Sequence, residues 1–309
     1  MVKHYPLFFI AFLLITRISA QETKKFYVGD FDLRGNVKTC QVITDYGQEI
    51  FEFDALGRLV KVITQYNEED KDVTVYTFKE DDLVEKRVES YKDDRIDPSS
   101  SMAYFYTIDS TENKKIKEQI ISYDKQFVEI QEYQFDEKGQ LYKIIVSHEN
   151  AVDEIVIERT DYKNENTTTY FENGIIQESV RESTRKNKKY GDVKVTLTKT
   201  YLDGEPNQAI EEVMDSRGLL IAKEVFQYDM GQKEFVTTEK HTFEYDENGI
   251  LKKEMVKQGN ATSTKEYIFQ FDDNEEKNWV KKIITPENDF TTRKITYYPK
   301  PIAEVEEPK

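Results

Sequence analysis

The chain repeats one short arrangement of apolar and polar positions. Residues 243–251 read Phe-Glu-Tyr-Asp-Glu-Asn-Gly-Ile-Leu. The same arrangement occurs at 51–59 (FEFDALGRL) and at 133–141 (YQFDEKGQL). Two aromatics two residues apart share one face of a strand. Asp hydrogen-bonds the backbone two residues on and so begins a type I turn. Gly at the fourth position accepts the positive φ that such a turn with a G1 bulge requires. Leu then re-enters the core. The motif predicts a strand, a tight turn and a returning strand, and every conspicuous position in it has a folding role.

Weaker copies fill the rest of the chain. Tyr76-Thr77-Phe78 leads to Leu83-Val84 without the Gly, and Tyr104 to Asp109 leads through a polar turn to Ile116. The second aromatics Phe53, Phe78, Tyr106 and Phe135 lie roughly 25 to 29 residues apart, the length of two strands with their turns. Glu172-Asn173-Gly174 and Leu202-Asp203-Gly204 mark further turns. Met214 to Leu220 is the motif without aromatics, and Phe269 to Asp272 is a last copy with extra acids before Trp279. Residues 21–30 read as a short polar lead. No stretch after the first 20 residues sustains a 3.6-residue apolar period, so no long helix is predicted. The expected fold is all-β: repeated antiparallel hairpins forming an extended twisted sheet or open solenoid.

The ends of the chain change the picture. Lys3 precedes an uninterrupted apolar run, Leu7 to Ile15, followed by Ile18-Ser19-Ala20. That is a secretory signal peptide, with cleavage expected after Ala20. The predicted organisation is a signal peptide at 1–20, a repetitive β-hairpin domain at 21–298 and a disordered tail at 299–309. The destination is secreted, periplasmic or otherwise in the cell envelope. No second long apolar run follows, so no membrane insertion is expected after cleavage.

Composition adds constraints. Charged residues make up 34% of the chain and hydrophobic ones 38%, yet Tyr (20) and Phe (18) are abundant. Aromatics are scarce in disordered chains, so the polarity points to sheets with a wet face. Removing residues 1–20 takes away Lys3 and Arg17 and no acid, which moves the net charge from −16 to −18. Such a surface repels nucleic acid and anionic lipid and argues against both as partners. Cys40 is the single cysteine, so no intramolecular disulfide exists; it lies in a strand-like run and reads as a small buried hydrophobe.

The repeated aromatic-x-[Phe/Tyr]-Asp-x-x-Gly-x-Leu motif resembles the YD repeat of bacterial exported proteins, which also occurs in rearrangement-hotspot toxins. The ending FDDNEEKNWVKKI followed by Arg293-Lys294-Ile295-Thr296-Tyr297 is similar to the final repeat of short secreted members. The resemblance covers about half of the mature chain. In the large toxins it implies a sheet wound into a hollow shell. The short, irregular copies here imply an open curved sheet, without a self-cleavage core or a toxin domain.

Candidate chemistry is sparse. His148 and His241 lack metal-ligand spacing, and there is no Gly-x-Ser-x-Gly elbow or phosphate loop. Acidic turns at Asp246 to Gly249 and Asp272 to Glu276 cluster oxygens of the kind Ca²⁺ takes, but Asp at a hairpin turn has a sufficient structural cause. Exposed aromatic rows would suit sugar rings, but aromatics at this spacing also pair across strands. No catalytic, cofactor-binding or metal residue is assigned, and no cofactor is expected. The expected function is a non-enzymatic scaffold that offers an extended surface to a protein or glycan of the cell envelope. The alternatives are a carbohydrate-binding or glycan-processing envelope protein and a toxin-associated binding protein. If a functional site exists, it belongs where the repeat breaks: Ser90 to Ser101, the basic island Arg185 to Lys189, and Asp272 to Trp279. The turn assignment has a direct check. Gly57→Val is expected to lower the melting temperature, because a β-branched residue is strained at positive φ; an unchanged melt contradicts the assignment.

Overall fold

The computed structural model describes residues 24–44 and 46–299. The signal peptide, its cleavage after Ala20 and all of the expected tail but Pro299 lie outside the described residues. A single 3-10 turn, Val28–Phe31, precedes a run of strands. These are β1 (Val37–Thr44), β2 (Gly47–Phe53), β3 (Leu59–Gln65), β4 (Lys71–Lys79), β5 (Asp82–Lys92), β6 (Arg95–Ile96) and β7 (Met102–Asp109). There follow β8 (Lys115–Ser122), β9 (Val128–Phe135), β10 (Leu141–Ser147), β11 (Val152–Tyr162), β12 (Glu165–Glu172), β13 (Ile175–Asn187) and β14 (Gly191–Leu202). The last are β15 (Glu205–Met214), β16 (Leu220–Asp229), β17 (Glu234–Tyr245), β18 (Leu251–Gln258), β19 (Ala261–Phe271), β20 (Trp279–Thr285) and β21 (Asp289–Tyr297).

The turns form as the motif dictates. In Asp54 to Arg58, Gly57 N–H donates to the Asp54 carbonyl (2.9 Å), and Asp54 Oδ1 accepts from Leu56 N (3.0 Å) and Arg58 N (2.9 Å). Gly57 has φ +78°. Asp136, Asp215 and Asp246 make the same set of bonds to their own turns. One residue further on, each returning strand carries an extra residue. Glu52 faces Lys61 and Phe53 faces Leu59, which leaves Val60 unpaired. Tyr142, Ile221 and Lys252 take the same place in the other three hairpins. Bulges of this kind bend a strand and raise its twist, which is what a sheet needs to curl.

Consecutive strands pair antiparallel along the chain, with β6 a two-residue offshoot and β7 pairing β5 directly. The sheet then closes. β1 pairs with β21, with Cys40 opposite Ile295 and Val42 opposite Arg293. The fold is a closed antiparallel barrel of 20 strands. This corrects the expectation of an extended sheet or open solenoid. All-β hairpin repetition was legible, but whether the first strand meets the last depends on accumulated twist over the whole chain, which no local motif records.

Register assigns each side chain to one of two faces. Phe51, Phe53, Tyr76, Tyr104, Tyr133, Tyr170, Phe243, Tyr267 and Trp279 share one of them, the aromatic face. On it, Ile116, Phe135, Leu141, Ile144 and Ile157 are 1–5% exposed, although the cluster they form draws only on neighbouring strands. Side chains converge on the concave side of a closed wall, so the aromatic face is the inner one. Among the buried clusters of the described residues none joins opposite walls, and the barrel encloses a lumen. The β13–β14 hairpin departs from this rule locally. Val193 and Val195 are buried on the outer side, in a cluster with Val213 and Ile221 against which Tyr190 packs. Burying a side chain such as Phe53 contributes about 1.5–3 kcal/mol.

Two glycines separate backbone strain from contact. Both Gly47 (φ +141°) and Gly139 (φ +73°) have positive φ, but only at Gly47 would an added Cβ meet a neighbour, the Gln65 carbonyl oxygen at 2.4 Å. Gly139→Ala is expected to cost about 1–2 kcal/mol of stability through φ alone. Gly47→Ala is expected to cost more, because β3 must move away from β2. Denaturant melts of the two variants check the order, and equal losses contradict it.

Candidate functional site

The inner face carries polar networks among its aromatics. Glu118 of β8 is 8% exposed, and its Oε2 accepts from the Tyr133 hydroxyl of β9 at 2.7 Å. The same hydroxyl lies 2.7 Å from Gln131 Oε1, and Gln131 Nε2 donates to Glu129 Oε1 at 2.5 Å. Glu129 Oε2 is 3.3 Å from His148 Nδ1, and His148 Nε2 is 3.5 Å from Asp153 Oδ2. Alternation along β9 and pairing with β8 and β10 put these groups on one side. A second network spans β17 to β19. His241 Nδ1 lies 2.8 Å from Glu254 Oε1 and its Nε2 lies 3.1 Å from Glu239 Oε2. Tyr267 donates to Glu254 Oε2 at 2.7 Å, and Gln258 donates to Glu239. His148 and His241 therefore each sit between two carboxylates.

The outer face is built differently. Six of its acids face Lys or Arg on the same or a neighbouring strand: Lys61–Glu52, Arg87–Glu85, Lys143–Glu154, Arg181–Glu165, Arg185–Glu211 and Lys240–Glu224, at 2.7 to 3.6 Å, while Glu89 accepts from the Tyr91 and Tyr123 hydroxyls. Inside, Glu118, Glu129, Glu239 and Glu254 are held by tyrosine, glutamine and histidine, and Glu182 pairs with Lys194 at 2.6 Å.

Residues 24–36, which include most of the short polar lead expected at 21–30, form a strap across the barrel seam at one mouth. Phe31 packs on Phe51 and Phe53, with ring centroids 4.7 and 5.4 Å apart, and Phe26 meets Tyr76. Val28 N–H donates to Gly57 O, and Leu59 N–H donates to Phe26 O. From the other side of the seam, Trp279 Nε1 donates to Asp32 Oδ2 at 2.6 Å. Arg293 lies 3.5 Å over the Trp279 ring and donates to the carbonyls of Phe31 and Asp32. Asn278 exchanges hydrogen bonds with the Arg34 backbone. The signal for this was present in the sequence as Phe26-Tyr27-Val28 and Phe31-Asp32-Leu33, apolar positions in a stretch too short to show a period.

The three places where the repeat breaks do not converge. Strand alternation puts Asp272 to Trp279 and Arg185 to Lys189 at the strap's mouth and Ser90 to Ser101 at the opposite one. Asp272 to Trp279 is the strap's docking site. Arg185 lies within β13 and pairs with Glu211, beside an open cleft of ≈ 480 Å³ that Arg181, Glu165 and Tyr162 also line. Ser90 to Ser101 is a tied turn: Asp97 accepts from Lys92 Nζ at 2.5 Å and from Ser99 and Ser100, and Ser101 is buried. Lys92 and the two serines hold the Asp97 carboxyl below the usual carboxylate range. At the motif turns Asp246 is lowered by the Ile250 and Asn248 backbone N–H groups and by Lys252. The carboxylate of Asp246 is thus already engaged by its own turn rather than offered to Ca²⁺.

No family model matches the chain, and no curated protein matches it. Among the solved structures that align with it are porin-like proteins from Bacteroides vulgatus ATCC 8482 and Bacteroides uniformis ATCC 8492. The first covers 85% of this chain and 98% of its own, at 9% identity and a TM-score of 0.24. The second covers 84% and 98%, at 9% identity and a TM-score of 0.32. At that distance the likeness carries no argument about this chain, and the barrel rests on its own strand pairing.

Closure corrects the sequence reading in three respects. The YD-repeat resemblance is left without support, since no family model matches and the sheet is neither open nor a solenoid. The scaffold with an extended surface for an envelope protein or glycan, and its glycan-processing and toxin-associated alternatives, presupposed that open sheet. The exclusion of membrane insertion rested on the missing apolar run, which is a test for helices. No helix among the described residues is long and apolar enough to cross a membrane, and this says nothing of a barrel, which crosses with strands.

The carboxylates of Asp97 and Asp246 give a pH dependence with a definite sign. Their folded pKa values are depressed, so the stability they add is present above the unfolded value of about 3.9 and is lost as pH falls through the folded value. The melting temperature is expected to fall on acidification below about pH 4. Asp246→Asn, which keeps an oxygen acceptor but no charge, is expected to fall less steeply over that window. Parallel acid-side melts of the two proteins check this, and identical slopes contradict it.

Proposed function

We propose that the mature chain, released from its leader, is a porin-like barrel of the outer membrane of the cell envelope, with the lumen as a passage for small polar solutes. The observation that carries this is closure at 20 strands with no buried cluster joining opposite walls. Barrels of eight strands are filled by side chains or hold one small ligand, whereas those of sixteen or more leave an aqueous channel. Antiparallel barrels of this size are an outer-membrane architecture, in line with the exported destination read from the leader. The wall strands run from 7 to 13 residues, around the roughly 9–11 needed to cross a bilayer at a tilt. The polar inner networks suit a wet interior.

The outer ion pairs set the condition this reading must meet. A single Lys or Arg facing lipid at the bilayer midplane costs about 2–4 kcal/mol. Lys61–Glu52, Lys143–Glu154 and Lys240–Glu224 reach the lipid only as neutral pairs or at headgroup depth. Fractionation and planar-bilayer recording of the refolded mature protein test the proposal. The expected result is recovery with membranes and stepwise conductance. A protein that stays in the aqueous fraction and adds no conductance overturns it.

A further inference from the structure

We infer that the strap of residues 24–36 undocks from the barrel as a unit and so controls the mouth it covers. The inference deepens the passage reading and rests on it for the word mouth; the undocking itself does not. Three observations carry it. First, the strap lies on the inner face, where Phe31 and Phe26 cover Phe51, Phe53 and Tyr76 beside the β1–β21 seam. Second, its attachment is separable from the wall. No residue of 24–36 belongs to a wall strand, and apart from one isolated bridge, Tyr27 to Arg58, it is held by side chains of Trp279, Arg293 and Asn278 and by a few turn bonds. Third, the docking site is incompletely satisfied. Among the described residues the buried side-chain polar atoms without a partner are Asp272 Oδ1 and Arg293 Nε; Arg293 bonds the strap directly, and Asp272 is linked to it through Tyr297 and Asn278.

That coincidence has a physical meaning. A buried polar atom without a partner raises the energy of the state that contains it, and water satisfies it when the site opens. The docked state therefore contains a penalty that undocking relieves, against the apolar burial of Val28, Leu33 and the two phenylalanines. The balance makes the strap less securely held than the continuously paired wall it lies on.

Cys40 reports on the strap. It sits on β1 in the buried cluster that includes Val28 and Leu33, it is 1% exposed, and it is the single thiol of the chain. Undocking uncovers it while β1 stays paired on both sides. The test is maleimide labelling of Cys40 in the folded mature protein, compared with its global unfolding rate from denaturant extrapolation. The expected result is labelling faster than global unfolding in the parent, accelerated about tenfold by Asp32→Ala, which removes the Trp279 bond. Trp279→Phe, which keeps the ring under Arg293, is expected to accelerate labelling in the same direction. Labelling no faster than global unfolding in all three proteins overturns the inference. In bilayers, Asp32→Ala is expected to raise the conductance of each step. Faster labelling with unchanged conductance overturns control of the mouth. If no protein conducts, the passage reading fails and the labelling rates alone decide the undocking.

Discussion

The structure depends on the pairing of its first strand with its last. An open meander of this length would present two unpaired edges, each a row of backbone donors and acceptors ready to template aggregation. Pairing β1 with β21 removes both at once. Because the side-chain period of a strand is two, closure also imposes a consistency condition: the face assigned to Cys40 must return as the same face after a full circuit. It does, since Phe51 on one neighbour and Ile295 on the other lie opposite Cys40. The extra residues at Val60, Tyr142, Ile221 and Lys252 lie on returning strands just past the turn, where they bend the wall without disturbing the alternation of its middle.

Closure then separates two environments. Outside, Glu52, Glu154 and Glu224 are among the acids that meet lysine. Inside, the carboxylates of Glu118, Glu129, Glu239 and Glu254 are engaged by tyrosine, amide and imidazole groups among aromatics. The seam itself is covered by the strap, whose attachments come from β20 and β21 on one side and β2, β3 and β4 on the other. The strap therefore crosses the one place in the wall where sequence neighbours do not hold the strands together.

Much of this was legible locally. Asp-x-x-Gly predicted a turn with a side-chain bond to the backbone two residues on and a positive-φ glycine, and each of the four turns has both, with a second side-chain bond four residues on. The paired aromatics predicted a shared face, which Phe51 and Phe53 occupy. What was not legible lay in long-range contacts. Thr39 and Thr296 meet across more than 250 residues, and neither carries a signal of it. The strap was misjudged because Phe26 and Phe31 are flanked by charges, so the stretch read as polar. Of the three breaks in the repeat, Asp272 to Trp279 departs from the motif where it receives the strap.

The central claim is that the sheet closes, and the seam offers the most direct test. The Thr39 and Thr296 hydroxyls are 2.6 Å apart in the barrel. Thr39→Cys with Thr296→Cys, in a Cys40→Ser background, places two thiols across it. Mild oxidation of the folded monomer, followed by non-reducing electrophoresis, reads out the link. The barrel predicts a rapid intramolecular disulfide at all protein concentrations. An open sheet or solenoid, with its terminal strands apart, predicts free thiols or only intermolecular dimers, and that result would contradict the fold.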